Sequence, residues 1–290
     1  MSGRVPAVST AASNGYPIET ALDELAALGV AAVEPAFIRG YTSFDEGDFS
    51  ETGARRLANA LAARGLTVQG VSAHLDLSSP EAGAMLRRRI AFAGSLGAPV
   101  LITNAGPEAG RAAILARLDA ALPELDAAGV TLALENPGHG TGDLIGRGEA
   151  GAALVSALGS PRARLNIDVG NLLTSVAGVE PGLSATLPLA AHAHLKDVAE
   201  DGPDWRFVAL GDGLVNWRAA RAAIARLAPG LPVAVELPLR LRRLGRGDPV
   251  RAAGPLPLPA IREAMRRSLR AWDEAARPLH QTPPRSRSVS

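Results

Sequence analysis

The regular alternation of short apolar segments with longer segments of helical periodicity constrains the fold of this chain more than any other feature. The apolar segments are bounded by Gly, Pro, Asp or Asn and have the length and composition of β-strands. The predicted strands span residues 5–11, 30–35, 66–73, 98–104, 130–136, 163–169, 191–196 and 232–237. The predicted helices span about 17–28, 50–64, 80–96, 107–128, 147–159, 178–190, 216–228 and 257–276.

Strands that alternate with helices form βαβ units, and such units build a parallel sheet. Eight units that close on themselves give an α/β fold of the (β/α)8 or TIM barrel class, for which ~250 residues are typical. The 290 residues of this chain therefore fit a single barrel domain. A doubly wound open sheet is the alternative. Glycines are predicted to end four of the helices, at Gly29, Gly65, Gly97 and Gly129.

The chain divides into one predicted domain and a short tail. Residues 1–276 are predicted to form the barrel, and residues 277–290, rich in Pro, Ser and Arg, are predicted to be disordered. Within the domain, residues 238–256 are rich in Pro, Gly and Arg and are interpreted as a loop after the last strand. Such a loop could serve as a mobile lid.

Composition argues against several classes of protein. The net charge is +1 and no basic stripe lies within the predicted domain, so nucleic acid is not expected as a partner. The sequence has no cysteine, which rules out disulfides and thiolate metal sites. It has no signal-peptide pattern and no uncharged apolar run of the ~18 residues that a membrane span needs. We therefore expect a cytoplasmic protein that does not associate with membranes.

Ionisable residues end four consecutive predicted strands. They are Glu135, Asp168, His194 and Glu236. In a barrel the C-terminal ends of all strands meet at one face, so these side chains are expected to converge there. Three carboxylates at such close range repel one another unless a cation neutralises them. A shell of three carboxylates and one imidazole suits Mn2+, Mg2+, Co2+ or Zn2+.

These strand ends also resemble a known family. The segments LALEN, NIDVGN, HAHLKD and VAVELP, with GDGLVNW at 211–217, are similar to those of the xylose isomerase-like barrel superfamily. The resemblance runs from about Val5 to Trp272. The superfamily includes sugar phosphate isomerases and epimerases, ketose 3-epimerases, hydroxypyruvate isomerases, inosose dehydratases and apurinic endonucleases. It implies that the four residues bind one divalent metal ion, with Mn2+ as the first choice. It also implies that Glu135 and Glu236 act as an acid/base pair on opposite faces of the substrate.

The reaction implied by this resemblance begins with removal of a proton next to a carbonyl group. A metal that chelates the carbonyl and a neighbouring hydroxyl lowers the free energy of the enediolate intermediate. Return of the proton then gives epimerisation or isomerisation, whereas loss of a β-substituent gives elimination. We therefore expect a metal-dependent isomerase or epimerase of a sugar, sugar phosphate or small hydroxy-ketone.

Two alternatives stay open. One is a metal-dependent lyase or dehydratase, similar to inosose dehydratase or eliminating a group β to a sugar ketone. The other is a barrel that binds sugar without turnover. In each case the partner is a small carbohydrate, and the chain could form a homo-oligomer or a complex with a second, different subunit.

The sequence departs from two branches of the superfamily. Ketose 3-epimerases carry a substrate-binding His three residues after the Asp ligand, where this chain has Asn171. Their Arg beyond the His ligand has no clean equivalent, and Arg206 is the nearest candidate. Asn171 also replaces a His that the three-zinc cluster of apurinic endonucleases requires. The changes at Asn171 and at the Arg position weaken the match to the ketose 3-epimerases. Asn171 and the lack of an Asp-x-His after His194 weaken the match to the endonucleases.

Further residues at strand ends are candidates for substrate contact, each with a structural role as the alternative. Lys196 stands out because it is the only lysine in the sequence and lies two residues after His194. The substrate-binding candidates are His74, Lys196, Asn171, Asn104, Glu34, Asn136 and Arg206.

Overall fold

A computed structural model describes residues 5–138, 142–146, 148–174 and 178–277. Its strands are β1 (Ala7–Ser9), β2 (Ala32–Glu34), β3 (Ala36–Phe37), β4 (Thr67–Val68), β5 (Val71–Ala73), β6 (Val100–Thr103), β7 (Thr131–Glu135), β8 (Ala163–Asp168), β9 (Ala190–Leu195), β10 (Asp197–Asp201), β11 (Asp204–Val208), β12 (Val233–Val235), β13 (Leu241–Arg243) and β14 (Pro249–Arg251). Apart from Arg277, the predicted C-terminal tail lies outside the described residues.

Eight α-helices separate the barrel strands. They are α1 (Ile18–Ala27), α2 (Glu51–Ala62), α3 (Ala82–Leu96), α4 (Arg111–Ala128), α5 (Gly148–Leu158), α6 (Val179–Thr186), α7 (Trp217–Leu227) and α8 (Leu258–Glu274). The four glycines predicted to follow helix ends all have positive φ, between 66° and 76°. An L-residue with a side chain is strained there, which explains why glycine stands at these positions. Among the described residues, no helix is both long and apolar enough to cross a membrane.

Ten short strands form one parallel sheet in the order β3-β5-β6-β7-β8-β9-β12-β1-β2-β4. The two ends of this order belong to the same pair of neighbouring strands, because β2 continues into β3 and β4 continues into β5. Backbone hydrogen bonds bridge the interruption: the amide of Gln69 donates to Val33 and that of Ser72 donates to Pro35, both at 3.0 Å. Pro35 has no N–H to contribute to the ladder. The sheet therefore closes into a barrel of eight strand positions, which confirms the predicted fold.

Strand parity divides the residues of the barrel wall into two layers. Leu134, Ile167 and Val235 belong to the large apolar core that also contains the inner faces of the helices. Ala133, one residue from Leu134, packs instead with Val100 and Ile102 in a separate small cluster. Alternate residues of a strand point to opposite faces, so this second cluster fills the barrel interior. The residues that end the strands on the interior side are thereby directed at the barrel mouth.

A second sheet, which the sequence analysis did not anticipate, lies next to the barrel. Strands β10, β11, β13 and β14 pair antiparallel in that order. The interpretation of 238–256 as a loop is therefore corrected: two three-residue strands lie within it. The segment after β9 is also a hairpin rather than a loop. We call this four-stranded unit the cover sheet.

The cover sheet has one buried face and one exposed face. Val198, Trp205, Phe207 and Leu241 form an apolar cluster on its inner side, and Tyr41 packs against that cluster. The hairpin turns at Gly202, whose φ of 62° suits a two-residue turn. In the sequence, the pair Asp201-Gly202 between two short stretches of alternating apolar and polar residues was the signal for this hairpin. The strands β13 and β14 carried no such signal, because they are three residues long and form by pairing with distant β11.

Asp197 connects the end of β9 to the loop at 209–216. Its buried carboxylate accepts hydrogen bonds from the indole Nε1 of Trp217 (2.8 Å) and from the backbone amides of Val198, Gly211, Gly213 and Val215 (2.9 to 3.3 Å). A Cβ on Gly213 would lie 2.2 Å from this carboxylate, so only glycine fits there. The motif GDGLVNW is therefore built around the carboxylate that follows Lys196.

We expect Asp197→Asn to lower the free energy of unfolding by about 3 kcal/mol, because an amide group has one acceptor oxygen where the carboxylate uses two. Chemical denaturation followed by circular dichroism measures this loss. Asp201→Asn is the matched control, since it changes the exposed far end of the same strand and is expected to cost less than about 0.5 kcal/mol. Equal effects of the two substitutions would contradict the role given to Asp197.

Candidate metal centre

The four residues predicted to share a metal ion meet at the mouth of the barrel. Each of Glu135, Asp168, His194 and Glu236 offers one ligand atom, and these atoms all lie within 4.8 Å of one another. All four side chains are buried, the most exposed being Glu135 at 4%. Their strands are consecutive in the sheet: β7 pairs with β8, β8 with β9, and β9 with β12. The parallel arrangement therefore brings together residues that lie up to a hundred positions apart in sequence.

His194 has two distinct surroundings at its two ring nitrogens. Nδ1 faces the acidic cluster, at 2.9 Å from Glu135 Oε2 and 3.6 Å from Glu236 Oε2. Nε2 lies 3.0 Å from both carboxylate oxygens of Glu34. If Nε2 carries the proton and donates a hydrogen bond to Glu34, the lone pair of Nδ1 points at the cluster, where it could bind a metal ion in place of its contact with Asn166 Nδ2 at 3.0 Å. A carboxylate behind the imidazole is a common arrangement at metal-binding histidines, because it fixes the tautomer and raises ligand basicity.

Lys196, the only lysine in the sequence, places a positive charge at the cluster. Its ammonium group forms an ion pair with Asp168 and lies 2.6 Å from Glu236 Oε2. Its side chain is 2% exposed, and its Nζ lies 5.7 Å from the centre of the Phe207 ring on the cover sheet. Lys196 lies two residues after His194, so strand parity directs both side chains to the same side. Two of the three carboxylates, Asp168 and Glu236, thus share one lysine.

The pKa values reflect this crowding. Burial raises the pKa of Asp168 to about 6, although Lys196 opposes the shift. Burial alone would lower the pKa of His194, but the charges of Glu34, Glu236 and Glu135 raise it well above its usual value. Burial would raise the pKa of Glu34, yet the charge and hydrogen bond of His194 lower it to about 2. The site without metal therefore holds protons and an ammonium group against excess negative charge.

A divalent cation fits this group of side chains. Glu236 Oε1 is buried without a hydrogen-bond donor among the described residues, and Asp168 Oδ2 and Glu236 Oε2 have only the ammonium group of Lys196 to share between them. Buried carboxylates that lack donors are costly, and a metal ion satisfies them. The donors are three oxygen groups and one imidazole, a set that does not select a single metal. The cluster could therefore hold a divalent metal ion.

Three further predicted residues border the open space above this cluster. The cavity has a volume of about 530 Å³, and its lining includes His74, Asn104 and Asn171. His74 Nε2 lies 3.5 Å from Glu135 Oε2. Asn171 Nδ2 donates to the backbone oxygen of Asn136 at 3.0 Å. A cavity of this size accommodates a small carbohydrate.

Three other predicted substrate residues, Glu34, Asn136 and Arg206, lie outside the cavity lining. Glu34 is fully buried behind His194, where it also accepts a hydrogen bond from Ser72 at 3.0 Å. The side chain of Asn136 is occupied by the backbone of Asp168, with bonds of 2.8 and 3.0 Å. Arg206 is exposed on β11, because its neighbours Trp205 and Phe207 take the inward positions of that strand. None of these three lines the cavity.

The sequence analysis missed residues that the structure brings to the site. Asn166 lies beneath the cluster: its Nδ2 donates to Glu135 Oε2 at 2.8 Å and its Oδ1 faces His192 Nδ1 at 2.9 Å. Tyr41 lines the cavity, and burial raises the pKa of its hydroxyl to about 12. Arg243 reaches the cavity from the cover sheet. A signal existed for Asn166, which shares strand parity with Asp168, but none for residues on loops and on the cover sheet.

The fold and this site define a class. The family model described as xylose isomerase-like TIM barrel matches residues 22–274, and the chain belongs to that family. The match covers every barrel strand except β1. It includes all four residues of the acidic cluster.

Solved structures show the same fold at low sequence identity. The chain is similar to a xylose isomerase-like TIM barrel protein from Mycobacterium smegmatis in complex with magnesium, with 18% identity, TM-score 0.70, and 95% of this chain and 99% of that chain covered. A D-psicose 3-epimerase, solved in the presence of D-fructose, matches at 13% identity and TM-score 0.70, covering 94% and 98%.

A third similar structure is the probable 3-DHS dehydratase AsbF, involved in petrobactin synthesis, from Bacillus anthracis, at 14% identity and TM-score 0.66, covering 93% and 99%. At such identities the likeness concerns the fold. No curated protein matches this chain in sequence.

We expect Mn2+ to stabilise the protein through this cluster. At about one hundred times its dissociation constant, a ligand adds about 2.7 kcal/mol, which raises the Tm of a domain of this size by about 5 °C. The effect should be larger at pH 8 than at pH 6, because a metal has to displace the protons that His194 and Asp168 hold at lower pH. Thermal unfolding with Mn2+ or with a chelator measures it. Asp168→Asn should abolish the gain, and exposed Asp119→Asn should keep it; a gain that survives in Asp168→Asn would contradict the site.

A separate expectation concerns Glu34. Glu34→Gln should weaken metal binding by about 10- to 100-fold, because a neutral amide withdraws the charge that raises the basicity of His194. A competition titration against a chelator measures the affinity. Glu149→Gln, the same change at an exposed position on α5, should leave the affinity unchanged. Wild-type affinity in Glu34→Gln would show that Glu34 does not support the ligand.

Proposed function

We propose that this protein is a divalent-metal-dependent isomerase or epimerase of a sugar, a sugar phosphate or a small hydroxy-ketone. The observation that carries the proposal is the convergence of Glu135, Asp168, His194 and Glu236, buried and within 4.8 Å of one another, at the floor of an open cavity. Sugar epimerases are among the solved structures that share the fold. Mn2+ is our first choice of metal, and the magnesium in a similar structure is consistent with a hard divalent ion.

In this proposal the four residues hold the metal, which supplies a positive charge that polarises the substrate carbonyl and stabilises a neighbouring oxyanion. Glu135 is the last residue of β7, and Glu236 directly follows β12. The two carboxylates therefore approach the centre from different strands. We assign to them removal and return of a proton at the carbon next to the carbonyl. Two carboxylates on different sides of that carbon allow a proton to leave on one face and return on the other.

Other residues of the chain bind and orient the substrate in this scheme. Lys196 and His74 line the cavity beside the carboxylates. Lys196 would exchange its contacts with Asp168 and Glu236 for a substrate oxygen once a metal satisfies those carboxylates. Asn104 and Asn171 offer amide groups on the cavity wall for substrate hydroxyls. The cover sheet lies over this space and limits the access of water, which strengthens the electrostatic interactions within it.

A lyase is the second candidate, since elimination of a β-substituent starts from the same proton removal. A probable dehydratase is among the structures with this fold. The two candidates differ in product: an isomerase or epimerase returns the proton, whereas a lyase releases water or another leaving group. A barrel that binds sugar without turnover is less well supported, because it would have no use for two metal-associated carboxylates.

Exchange of carbon-bound hydrogen with solvent tests the proposal. We expect the Mn2+-loaded protein, incubated in D2O with a panel of ketoses and ketose phosphates, to place deuterium next to the carbonyl of its substrate. Glu135→Gln and Glu236→Gln should reduce the rate by about 100-fold or more, because an amide cannot accept the proton. Nuclear magnetic resonance measures the incorporation.

Two controls make the result specific. Glu149→Gln should exchange hydrogen at the wild-type rate, and metal content is measured for every variant so that loss of base and loss of metal are separated. Incorporation with loss of water or a sugar substituent would identify the lyase. Bound metal without any exchange across the panel would overturn both catalytic assignments.

A further inference from the structure

Arg243 is a buried cation on the cavity wall, and the proposed proton transfer at the barrel floor gives it no role. It ends β13, is 4% exposed, and lines the same cavity as Glu135 and Glu236. Its guanidinium donates one hydrogen bond, from Nη1 to the backbone oxygen of Gly247 at 2.9 Å. Among the residues that the structure describes, it has no carboxylate within 4.0 Å. A buried guanidinium without an anion is costly, so this position calls for a reason.

The neighbouring arginines differ from Arg243 in their partners and in their exposure to solvent. Arg242 pairs with Asp201, and Arg246 lies 2.8 Å from Glu200. Arg240 donates to the backbone oxygens of residues 252 and 253, at 2.9 and 2.7 Å. Strand alternation turns Arg243 to the inner face of the cover sheet while Arg242 faces solvent. The general arginine richness of this segment therefore does not account for Arg243.

The local packing brings the guanidinium close to the catalytic floor. A Cβ on Gly138 would lie 2.4 Å from Nη2 of Arg243 and 2.4 Å from Oδ1 of Asn171, so a side chain at 138 would displace both. Gly138 stands three residues after Glu135. Arg243 also lies 5.9 Å from the centre of the Phe207 ring, and Lys196 lies 5.7 Å from the same centre. The cation at the floor and the cation on the wall thus both lie within 6 Å of the centre of one aromatic ring.

The cavity therefore has two ends of opposite character. Its floor carries the carboxylates proposed to hold a metal, and its wall carries Arg243, with Arg39 exposed at the margin. The other acidic residues of the lining, Asp76, Glu81 and Asp248, are exposed to solvent. A guanidinium presents paired N–H groups that match the oxygens of a carboxylate or a phosphate.

We propose that Arg243 binds an anionic group, a carboxylate or a phosphate, at the end of the substrate remote from the reacting carbonyl. This inference rests on the proposed function, since it takes the carbonyl to be held at the acidic floor. It narrows the substrate class to acidic sugars: ketose phosphates or keto-acids of the sugar series. Arg243 is then a residue that determines specificity and takes no part in proton transfer.

Three ligands with one carbon skeleton test the inference: D-fructose, D-fructuronate and D-fructose 6-phosphate, which differ at carbon 6 in being neutral, a carboxylate or a phosphate. Isothermal titration calorimetry on the Mn2+-loaded protein gives their dissociation constants. We expect at least one anionic ligand to bind about 10- to 100-fold more tightly than D-fructose, the range for a hydrogen-bonded charge pair. Comparison of the two anionic ligands then shows whether the site prefers a carboxylate or a phosphate.

Substitution of the arginine completes the test. Arg243→Gln should remove the preference for anions and leave the affinity for D-fructose unchanged, whereas Arg242→Gln, the same change at the exposed neighbour, should keep the preference. Arg243→Lys should retain it in part, and with the wild-type comparison it decides the question if Arg243→Gln does not fold. Equal binding of the three sugars, no binding of any of them, or an equal loss for all three in Arg243→Gln overturns the inference.

Metal content and hydrogen exchange are recorded on the same preparations. If both are intact and the anion preference is absent, only the role of Arg243 fails. If metal binding or exchange is absent in the wild-type protein, the proposed function fails.

Discussion

The mutual repulsion of three buried carboxylates at the mouth of the barrel is the constraint on which the rest of the site depends. Glu135, Asp168 and Glu236 are almost without solvent contact, and Lys196 is the single lysine among them. In a medium of low dielectric such a group is stable only with compensating positive charge. Protons supply part of it here, which is seen in the raised pKa values of Asp168 and His194. A divalent cation supplies it more completely.

The layers beneath this cluster make its geometry rigid. His194 is held on one side by Glu34, and Glu135 is held by Asn166. Asn136 fixes the backbone of Asp168 through two hydrogen bonds. These three supporting residues carry polar groups that a substrate could use, yet each is already bonded within the protein. Their polarity therefore serves the position of the ligands, which is how a site keeps its geometry when charge changes during a reaction.

The cover sheet adds residues to the site that the eight barrel strands do not supply. It contributes Arg243 and Pro249 to the cavity lining, and its apolar cluster, which includes Phe207, packs against Tyr41 from the loop after β3. Asp197 anchors its first strand to the loop before α7 through a group of backbone hydrogen bonds. The barrel floor thus carries the residues of the proposed chemistry, while the cover sheet carries Arg243, the residue proposed to select among substrates.

The sequence by itself determined the barrel, its strand and helix order, the helix-ending glycines and the four residues of the acidic cluster. These follow from local rules: periodicity, strand parity and the meeting of all strand ends at one face. The tertiary structure decided which of the candidate polar residues face the cavity and which do not. It buried Glu34 behind His194, turned Arg206 to solvent and brought Arg243 inward, because these outcomes depend on pairing between segments far apart in the chain. Long-range pairing leaves no periodic trace in three-residue strands, so that part of the site had to be seen in three dimensions.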